Sequence, residues 1–307
     1  MDLSFTTLDV FTNKQLEGNP LAVVRVPASL RDRLTQSVKQ KIAREFNLSE
    51  TVFLHDDIFT TEKELPFAGH PTIGTAVFVR HHLGGGGGEG VRSLITKAGP
   101  IGIESSPLGI RAKIPHNVHL HTKTLRDLLS SPDEGLVTTG LHPNPTIREA
   151  ELDAPAFSIV SGMTFVLVRL SSLDLLGQVK SLRLDFKALS ASLLDEGRRD
   201  SFVSRYYYVD VEGEKEAPKD VRYLRTRMVE LGFEDPATGS AATALGAYLT
   251  LAQEKRATKF QMTQGVEMGR MSVISVETTV KEEGGVGEVY LGGTAVMVMQ
   301  GTLRVDA

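Results

Sequence analysis

The sequence contains no cysteine and no tryptophan, and aromatic residues make up only 6% of its 307 positions. The absence of cysteine excludes disulfide bonds, thiolate zinc sites, iron–sulfur clusters and cysteine nucleophiles. It is consistent with a reducing compartment, and we expect a cytoplasmic protein. Any catalysis must therefore use carboxylate, histidine, serine, threonine or lysine side chains.

Strong charge of one sign and long apolar runs are also missing. The net charge is -4 and the 34 basic residues are dispersed, whereas a protein that binds the phosphate backbone of nucleic acid has clustered basic residues. The N-terminus has early acidic residues and no continuous apolar segment, so it does not resemble a secretory signal. The longest charge-free stretch, residues 236–253, is rich in small residues that suit a buried helix better than a lipid-facing one. We expect neither nucleic acid nor a membrane as a partner.

The composition that remains is that of a globular protein long enough for about two domains. Apolar residues recur every fourth position from Leu34, which predicts an amphipathic surface helix ending near Asn47. Further helices are expected near residues 125–129 and 186–194, and the turn-rich stretch 130–145 is predicted as an interdomain linker. Short segments rich in β-formers predict strands over residues 3–12, 21–26, 51–55, 58–60, 91–96, 101–105, 108–114, 157–160, 165–170, 201–209, 221–228, 259–263, 271–280, 287–291 and 295–305.

Two uncharged helices interrupt these strands, and their sequences echo each other. The first is predicted to start at Pro71 and the second at Asp235 and Pro236, because proline is tolerated at the first helical position. Each has glycine beside a polar residue at its N-terminus, followed by small or apolar residues. Two strand-rich parts, each wrapped around one buried helix, indicate an α+β protein rather than an alternating βαβ sheet.

Five consecutive glycines, residues 84–88, follow the first of these helices. Because ordering glycine costs so much entropy, we interpret the run as a flexible connection. A phosphate-cradling loop is the less favoured alternative, since no Lys-Ser or Lys-Thr pair follows it.

The N-termini of both uncharged helices are suited to binding a carboxylate, because a helix N-terminus exposes N–H groups and a partial positive charge. The alternative is that Asp235 and Ser240 merely cap a core helix. Glu50 precedes a strand, where a desolvated carboxylate acquires the raised pKa of a general base, although most glutamates are simply solvated. His70 and Asp235 are each either an acid–base group or a structural one.

Three histidines, His116, His119 and His121, form the other cluster of potential ligands. Two of them would lie on one face of a strand. No acidic ligand stands near them at an obvious spacing, so a metal site is disfavoured.

Five segments together carry a family resemblance: residues 18–24 (GNPLAVV), 43–53 (AREFNLSETVF), 64–76 (ELPFAGHPTIGTA), 234–242 (EDPATGSAA) and 264–270 (QGVEMGR). They are similar to the signature segments of the PhzF-like phenazine-biosynthesis protein family. They occur in the family's order and span nearly the whole chain.

The resemblance implies the diaminopimelate-epimerase-like α+β fold. In that fold, two pseudo-symmetric halves each form a curled, mostly antiparallel sheet around a central buried helix, with the active site in the cleft between them. The halves here would be residues 1–130 and 131–307, and the last strand can return to the first half. Ala68 and Thr238 stand where the epimerases have two catalytic cysteines, so two-thiol racemisation is excluded.

The resemblance also implies a cofactor-free isomerase without a metal site, in which one glutamate moves a proton within a small cyclic or unsaturated carboxylic acid. A homodimer is a further expectation. A ligand-binding or protein-interaction module that kept the fold and lost turnover is the alternative function. The implied catalytic residues are Glu50, His70 and Asp235, and the implied substrate-binding residues are Asn19, Gly69, Thr238, Gly239 and Ser240.

Overall fold

The computed structural model describes residues 1–54, 58–60, 64–65, 68–83, 90–96, 99–182, 184–230, 232–252 and 257–305, with backbone alone at 58–60, 64–65, 230 and 257. The chain forms two compact units. Unit 1 comprises Met1–Ile114, Arg270–Val273 and Leu291–Ala307, and unit 2 comprises Pro115–Gly269 and Ile274–Tyr290. The glycine run 84–88 lies outside the described residues, and the halves 1–130 and 131–307 stay a prediction.

Strands outnumber helices along the whole chain. The strands are β1 (Asp2–Val10), β2 (Asn19–Arg25), β3 (Glu50–Leu54), β4 (Ile58–Thr60), β5 (Glu64–Leu65), β6 (Ser93–Thr96), β7 (Gly99–Ser106), β8 (Gly109–Lys113), β9 (His119–Leu120), β10 (Ala156–Val160), β11 (Met163–Arg169), β12 (Phe202–Val211), β13 (Val221–Glu230), β14 (Phe233–Asp235), β15 (Ala257–Gln264), β16 (Ser272–Val280), β17 (Val286–Gly293) and β18 (Ala295–Arg304). The α-helices are α1 (Gln36–Phe46), α2 (Gly69–His81), α3 (Glu134–Gly140), α4 (Pro145–Leu152), α5 (Leu173–Gln178), α6 (Phe186–Leu193) and α7 (Gly239–Ala252). Short 3₁₀ helices also occupy Ala28–Arg33 and Arg126–Ser130. This mixture of helices and extended sheets confirms the predicted α+β class.

Unit 1 is built on a six-stranded sheet in the order β18-β1-β2-β3-β4-β5. β1 pairs antiparallel with both β18 and β2, whereas β2 and β3 are parallel. The parallel pair places the start of β3 beside the start of β2, with Glu50 opposite Leu21. β7 pairs antiparallel with β6 and β8 in the same unit.

Helix α2 is the buried helix of unit 1. It packs against β1, β2, β3, β8 and β18, and every residue from Gly69 to Val79 is buried. Gly74 allows this close approach, since a Cβ there would lie 2.5 Å from Leu21 Cδ2. The predicted start at Pro71 is wrong by two residues, because the helix begins at Gly69. Proline fits there because none of the first four N–H groups of a helix has an intrahelical partner.

Helix α1 packs against β3 and β4 and matches the amphipathic prediction. The Thr35 side chain accepts a hydrogen bond from the Val38 N–H at its start, and Asn47 ends it in the left-handed conformation at φ 49°. Ile42 is buried, and Phe46 makes an edge contact with Phe5, with 5.1 Å between the ring centroids. The apolar face seen in the sequence is therefore the face that packs.

Unit 2 carries a longer sheet in the order β17-β16-β15-β13-β12-β11-β10-β9, with β14 paired to β13. Helix α7 is buried and packs against β10, β11 and β15. The expectation that Asp235 and Pro236 open this helix is wrong: Asp235 ends β14, and α7 begins at Gly239. No helix in the described ranges combines the length and the apolar character needed to cross a membrane.

The stretch 130–145, predicted as an interdomain linker, is folded as part of unit 2. It contains α3, and its last residue, Pro145, is the first residue of α4. The Asn144 side chain caps α4 by accepting from the Thr146 N–H at 2.9 Å. Proline and glycine here mark helix boundaries rather than an open connection.

A buried ion pair ties these helices to the sheet of unit 2. Arg205 on β12 donates from Nη1 to Glu151 Oε1 on α4 and to Gly140 O, each at 3.0 Å. The Tyr207 hydroxyl donates to the same Glu151 oxygen at 2.6 Å, and the His142 N–H donates to Glu151 Oε2 at 2.7 Å. Both charged side chains are fully buried. The charges are thus neutralised and hydrogen-bonded, as buried charges must be.

Candidate active site

Glu50 is the first residue of β3, three residues after the cap of α1. Its side chain is 17% exposed. Burial raises the pKa of this carboxyl from 4.5 to about 7, and a hydrogen bond from the Ser49 side chain partly opposes the rise. Within the described residues, Glu50 Oε2 is enclosed and has no hydrogen-bond partner. Both protonation states are therefore populated near pH 7, which suits a group that takes up and releases a proton.

His70, the second residue of α2, lies against this carboxyl group. Its Nε2 is 3.4 Å from Glu50 Oε2, and its side chain is 6% exposed. Its Nδ1 is 3.3 Å from Asn19 Nδ2. The residue before α2, Ala68, makes no side-chain cap, so no side chain at that position covers the helix N-terminus. His70 therefore sits at the positive end of a helix and beside an acid.

Asn19 holds the other side of the histidine ring. It is the first residue of β2, is 1% exposed, and accepts a hydrogen bond on Oδ1 from Ser49 Oγ at 3.2 Å. Gly18 before it has φ 66°, and a Cβ there would lie 2.4 Å from Val10 O, so only glycine fits. The turn into β2 thus fixes the place of Asn19.

The loop that leads to Asn19 is anchored by an ion pair within unit 1. Arg270 donates from Nη2 to Asp9 Oδ1 at 2.7 Å and from Nε to Gly18 O at 2.9 Å. Asp9 Oδ2 accepts from the Leu16 N–H at 2.6 Å. Asp9 is 3% exposed, whereas the Arg270 side chain is 28% exposed, so the carboxylate is the buried partner of this pair. Arg270, the last residue of the QGVEMGR segment, thereby supports the position of Asn19 from a distant part of the sequence.

The candidate residues of unit 2 surround the start of α7. The Thr238 hydroxyl donates to Asp235 Oδ2 at 2.6 Å, and its N–H donates to Gln264 Oε1 at 3.2 Å. Gln264 Nε2 donates to Asp235 O at 2.8 Å, and the Tyr206 hydroxyl donates to Gln264 Oε1 at 2.9 Å. Thr238 occupies the position before the helix, as Ala68 does before α2. Asp235 lies before Thr238 and accepts a hydrogen bond from its hydroxyl, and the alternative in which Asp235 caps the helix stays a prediction.

Gly239 and Ser240 are the first two residues of α7. Gly239 is buried and Ser240 is partly exposed. The first N–H groups of a helix have no partner inside it, and a partial positive charge accumulates there. This end of α7 is suited to an anion such as a carboxylate.

Sequence comparison assigns the chain to a family. Residues 8–301 match the family described as phenazine biosynthesis-like protein. The chain belongs to this family. An uncharacterized isomerase of Mesorhizobium japonicum is 34% identical, with 98% of this chain and 99% of the relative aligned. A Pseudomonas fluorescens protein named trans-2,3-dihydro-3-hydroxyanthranilate isomerase is 29% identical, with 98% of this chain and 99% of the relative aligned.

Solved structures of the phenazine biosynthesis-like family share the fold. The Bacillus anthracis phenazine biosynthesis protein of the PhzF family matches with a TM-score of 0.71 at 24% identity, covering 99% of this chain and 100% of that one. The family resemblance and the epimerase-like α+β fold expected from the sequence are confirmed.

Within this phenazine biosynthesis-like chain, the structure brings several predicted site residues together inside each unit. In unit 1, Asn19 and Glu50 flank the His70 ring, and Gly69 precedes it. In unit 2, Asp235 at the end of β14 is close in sequence to Thr238, Gly239 and Ser240 at the start of α7. Sequence reasoning missed Ser49, Gln264 and Tyr206. Ser49 and Gln264 both lie inside the family segments, and this position is the sequence signal that could have identified them.

The histidine cluster of unit 2 acquires an acidic neighbour that the sequence did not indicate. His119, His121 and Asp195 offer ligand atoms within 4.8 Å of one another, and His116 is not among them. However, His121 Nδ1 already accepts the Asp195 N–H at 3.0 Å, and its Nε2 contacts Ser158 Oγ at 2.9 Å. Both ring nitrogens of His121 are therefore occupied by hydrogen bonds within unit 2, and the ring has a structural role rather than that of a metal ligand.

Proposed function

We propose that the protein is an isomerase that moves a proton within a small cyclic or unsaturated carboxylic acid. Glu50 is the proton carrier: it removes a proton from an acidified carbon and returns it to another carbon on the same face of the substrate. The observation that carries this proposal is the desolvated carboxyl group of Glu50, with a pKa of about 7, placed 3.4 Å from His70. The name isomerase among its relatives supports it.

The remaining residues have supporting roles in this proposal. The imidazole of His70 faces Glu50 and stabilises the charge that develops when the proton moves. Asp235, held by the Thr238 hydroxyl, is the second acid–base group. The N–H groups of Gly69, Gly239 and Ser240 at the two helix starts, together with the Ser240 hydroxyl, bind the polar groups of the substrate, with the carboxylate at the start of α7. Thr238 takes part in substrate binding indirectly, because its hydroxyl proton goes to Asp235. Asn19 orients His70.

This chemistry needs no electron transfer. The proton leaves one carbon with its bonding pair remaining in the conjugated system, and a proton is added at another carbon, so substrate and product are isomers. A carboxylic acid whose leaving proton lies next to a double bond or carbonyl group is the class that a carboxylate of this pKa can deprotonate. The name of the Pseudomonas fluorescens relative makes trans-2,3-dihydro-3-hydroxyanthranilate the first compound to test.

The test is deuterium incorporation. Trans-2,3-dihydro-3-hydroxyanthranilate and a set of small unsaturated carboxylic acids are incubated with the protein in deuterated water, and the recovered compound is examined by NMR and mass spectrometry. We expect label at carbon in at least one acid, and a loss of about a hundredfold or more in Glu50→Gln, because an amide cannot accept the proton. Glu45→Gln, at an exposed glutamate on α1, is the matched control and should retain the rate.

Two outcomes would overturn this function. Full exchange by Glu50→Gln would eliminate Glu50 as the proton carrier. Tight binding of several acids without label uptake in any of them would instead support the binding-module alternative.

A further inference from the structure

Gln264, the last residue of β15, is fully buried and makes four hydrogen bonds around the start of α7. Its Nε2 group donates to Asp235 O at 2.8 Å and to Thr238 Oγ1 at 2.9 Å. Its Oε1 atom accepts from the Thr238 N–H at 3.2 Å and from the Tyr206 hydroxyl at 2.9 Å. Both protons of the amide nitrogen and both lone pairs of the amide oxygen are thus used.

Backbone groups fix which end of the Gln264 amide is the nitrogen. A backbone carbonyl can only accept, so the atom next to Asp235 O must be the amide nitrogen. A backbone N–H can only donate, so the atom next to the Thr238 N–H must be the amide oxygen. The reverse orientation would place two acceptors together at one end and two donors at the other. Gln264 is therefore held in one orientation by its two contacts with the main chain.

This orientation sets the direction of the Thr238 hydroxyl bond. Because Gln264 Nε2 donates to Thr238 Oγ1, the hydroxyl proton must point away from Gln264. Two acceptors lie within reach of that proton, Asp235 Oδ2 at 2.6 Å and Met228 Sδ at 3.1 Å. A carboxylate oxygen is a much stronger acceptor than a thioether sulfur, so the proton is donated to Asp235.

We propose that Gln264 is a positioning residue for Asp235, because its amide holds the Asp235 carbonyl and directs the Thr238 hydroxyl proton onto the Asp235 carboxylate. This inference rests on the proposed role of Asp235 as the second acid–base group. Gln264 is fully buried and acts through Thr238 rather than on the substrate. A hydrogen bond donated to an ionised carboxylate favours the ionised form, so the network keeps Asp235 ready to accept a proton.

The ionisable neighbours of this network have partners of their own. Glu234, next to Asp235 on β14, accepts hydrogen bonds from Arg227 Nε and Nη2 at 2.8 Å each. The residue opposite Asp235 on β13 is a methionine, which does not ionise. Burial raises the pKa of the Tyr206 hydroxyl, so this group stays protonated and can donate to Gln264. The threonine hydroxyl is therefore the route by which Gln264 acts on the Asp235 carboxylate.

The experiment follows the titration of Asp235 and needs no substrate. The ¹³C carboxyl resonances of aspartate-labelled protein are recorded against pH in wild type, Gln264→Met, Thr238→Val and the double variant, with Asp235→Asn identifying the resonance. Thr238→Val removes the hydroxyl and should raise the Asp235 midpoint by about one pH unit, a tenfold change in proton affinity. Gln264→Met should raise it by a smaller amount, because the hydroxyl is kept but no longer directed.

The double variant separates positioning from packing. If Gln264 acts through Thr238, the double variant should show the same Asp235 midpoint as Thr238→Val alone, since the second change then removes nothing further. Gln261→Met, at a partly exposed glutamine three residues earlier on β15, is the matched control and should not move the midpoint. An unchanged midpoint in folded Gln264→Met, or additive shifts in the double variant, would overturn the role of Gln264.

The wild-type protein provides a check that also holds if Gln264→Met does not fold. Both Nε2 protons of Gln264 should exchange with solvent at least about a hundredfold more slowly than those of Gln300, an exposed glutamine on β18. Equal exchange rates would overturn the proposed network. Coupled midpoints in a protein that labels no carboxylic acid would support Gln264 and overturn the proposed activity, so the two failures are distinguishable.

Discussion

Replacing Glu50 by glutamine should stabilise the protein, and increasingly so as the pH rises. Burial raises the pKa of Glu50 from 4.5 to about 7, so the folded protein holds this proton more tightly than the unfolded chain does. The stability contributed by the protonated carboxyl is fully present below pH 4.5 and is lost as the pH rises through about 7. Because one pKa unit corresponds to about 1.4 kcal/mol, the buried carboxylate destabilises the fold by about 3 kcal/mol at alkaline pH.

The measurement is urea unfolding followed by circular dichroism at about pH 5.5 and about pH 8.5. Over this range, the free energy of unfolding of Glu50→Gln relative to wild type should rise by about 2 kcal/mol, since glutamine does not ionise. For Glu45→Gln, at the surface of α1, the difference should stay within about 0.5 kcal/mol. If the difference in unfolding free energy between Glu50→Gln and wild type also did not change with pH, the Glu50 carboxyl group would not be desolvated, and the proposed mechanism would lose its basis.

Two further changes test the anion site and the core of unit 2. Ser240→Ala should weaken the binding of a small carboxylate such as benzoate by about 1 kcal/mol or more in calorimetry, with an unchanged melting temperature; equal affinity would contradict the carboxylate role of α7. Arg205→Leu should lower the free energy of unfolding by about 3–5 kcal/mol, because Glu151 then stays buried without its charge partner. The exposed Arg126, which pairs with Glu149 and Asp153, is the control, and Arg126→Leu should leave the urea midpoint nearly unchanged. Equal losses from both arginine variants would contradict the reasoning.

The elements that sequence reasoning located well have strong local signals. α1 has both an apolar face and capping residues, and these act within one stretch of chain. The starts of α2 and α7 were misplaced because a proline marks only the neighbourhood of a helix start. Pro71 lies within the first turn of its helix, whereas Pro236 lies before α7. Local propensity does not distinguish these positions.

The candidate site was accessible from the sequence only in part, because its bonds join residues that are distant along the chain. Glu50, His70 and Asn19 were identified through family segments, but nothing local indicates that Asn19 bridges Ser49 and His70. The same holds for Asp195, which contacts His119 and His121 from a position more than seventy residues later. Such contacts depend on strand order, and strand order is a property of the whole fold.

The pairing of the first strand with the last determines when unit 1 can be completed during synthesis. β1 pairs with β18 from Asp2 and Arg304 to Val10 and Ala295, and the Met1 amino group donates to Val305 O across 304 positions of sequence. On the ribosome, β1 must therefore wait with one edge unpaired until β18 has emerged. Residues 115–269 of unit 2 emerge earlier, so unit 2 has the first opportunity to fold. Unit 1 can complete its sheet only after β18 has emerged, so the pairing of β1 with β18 is a late step in the assembly of this unit.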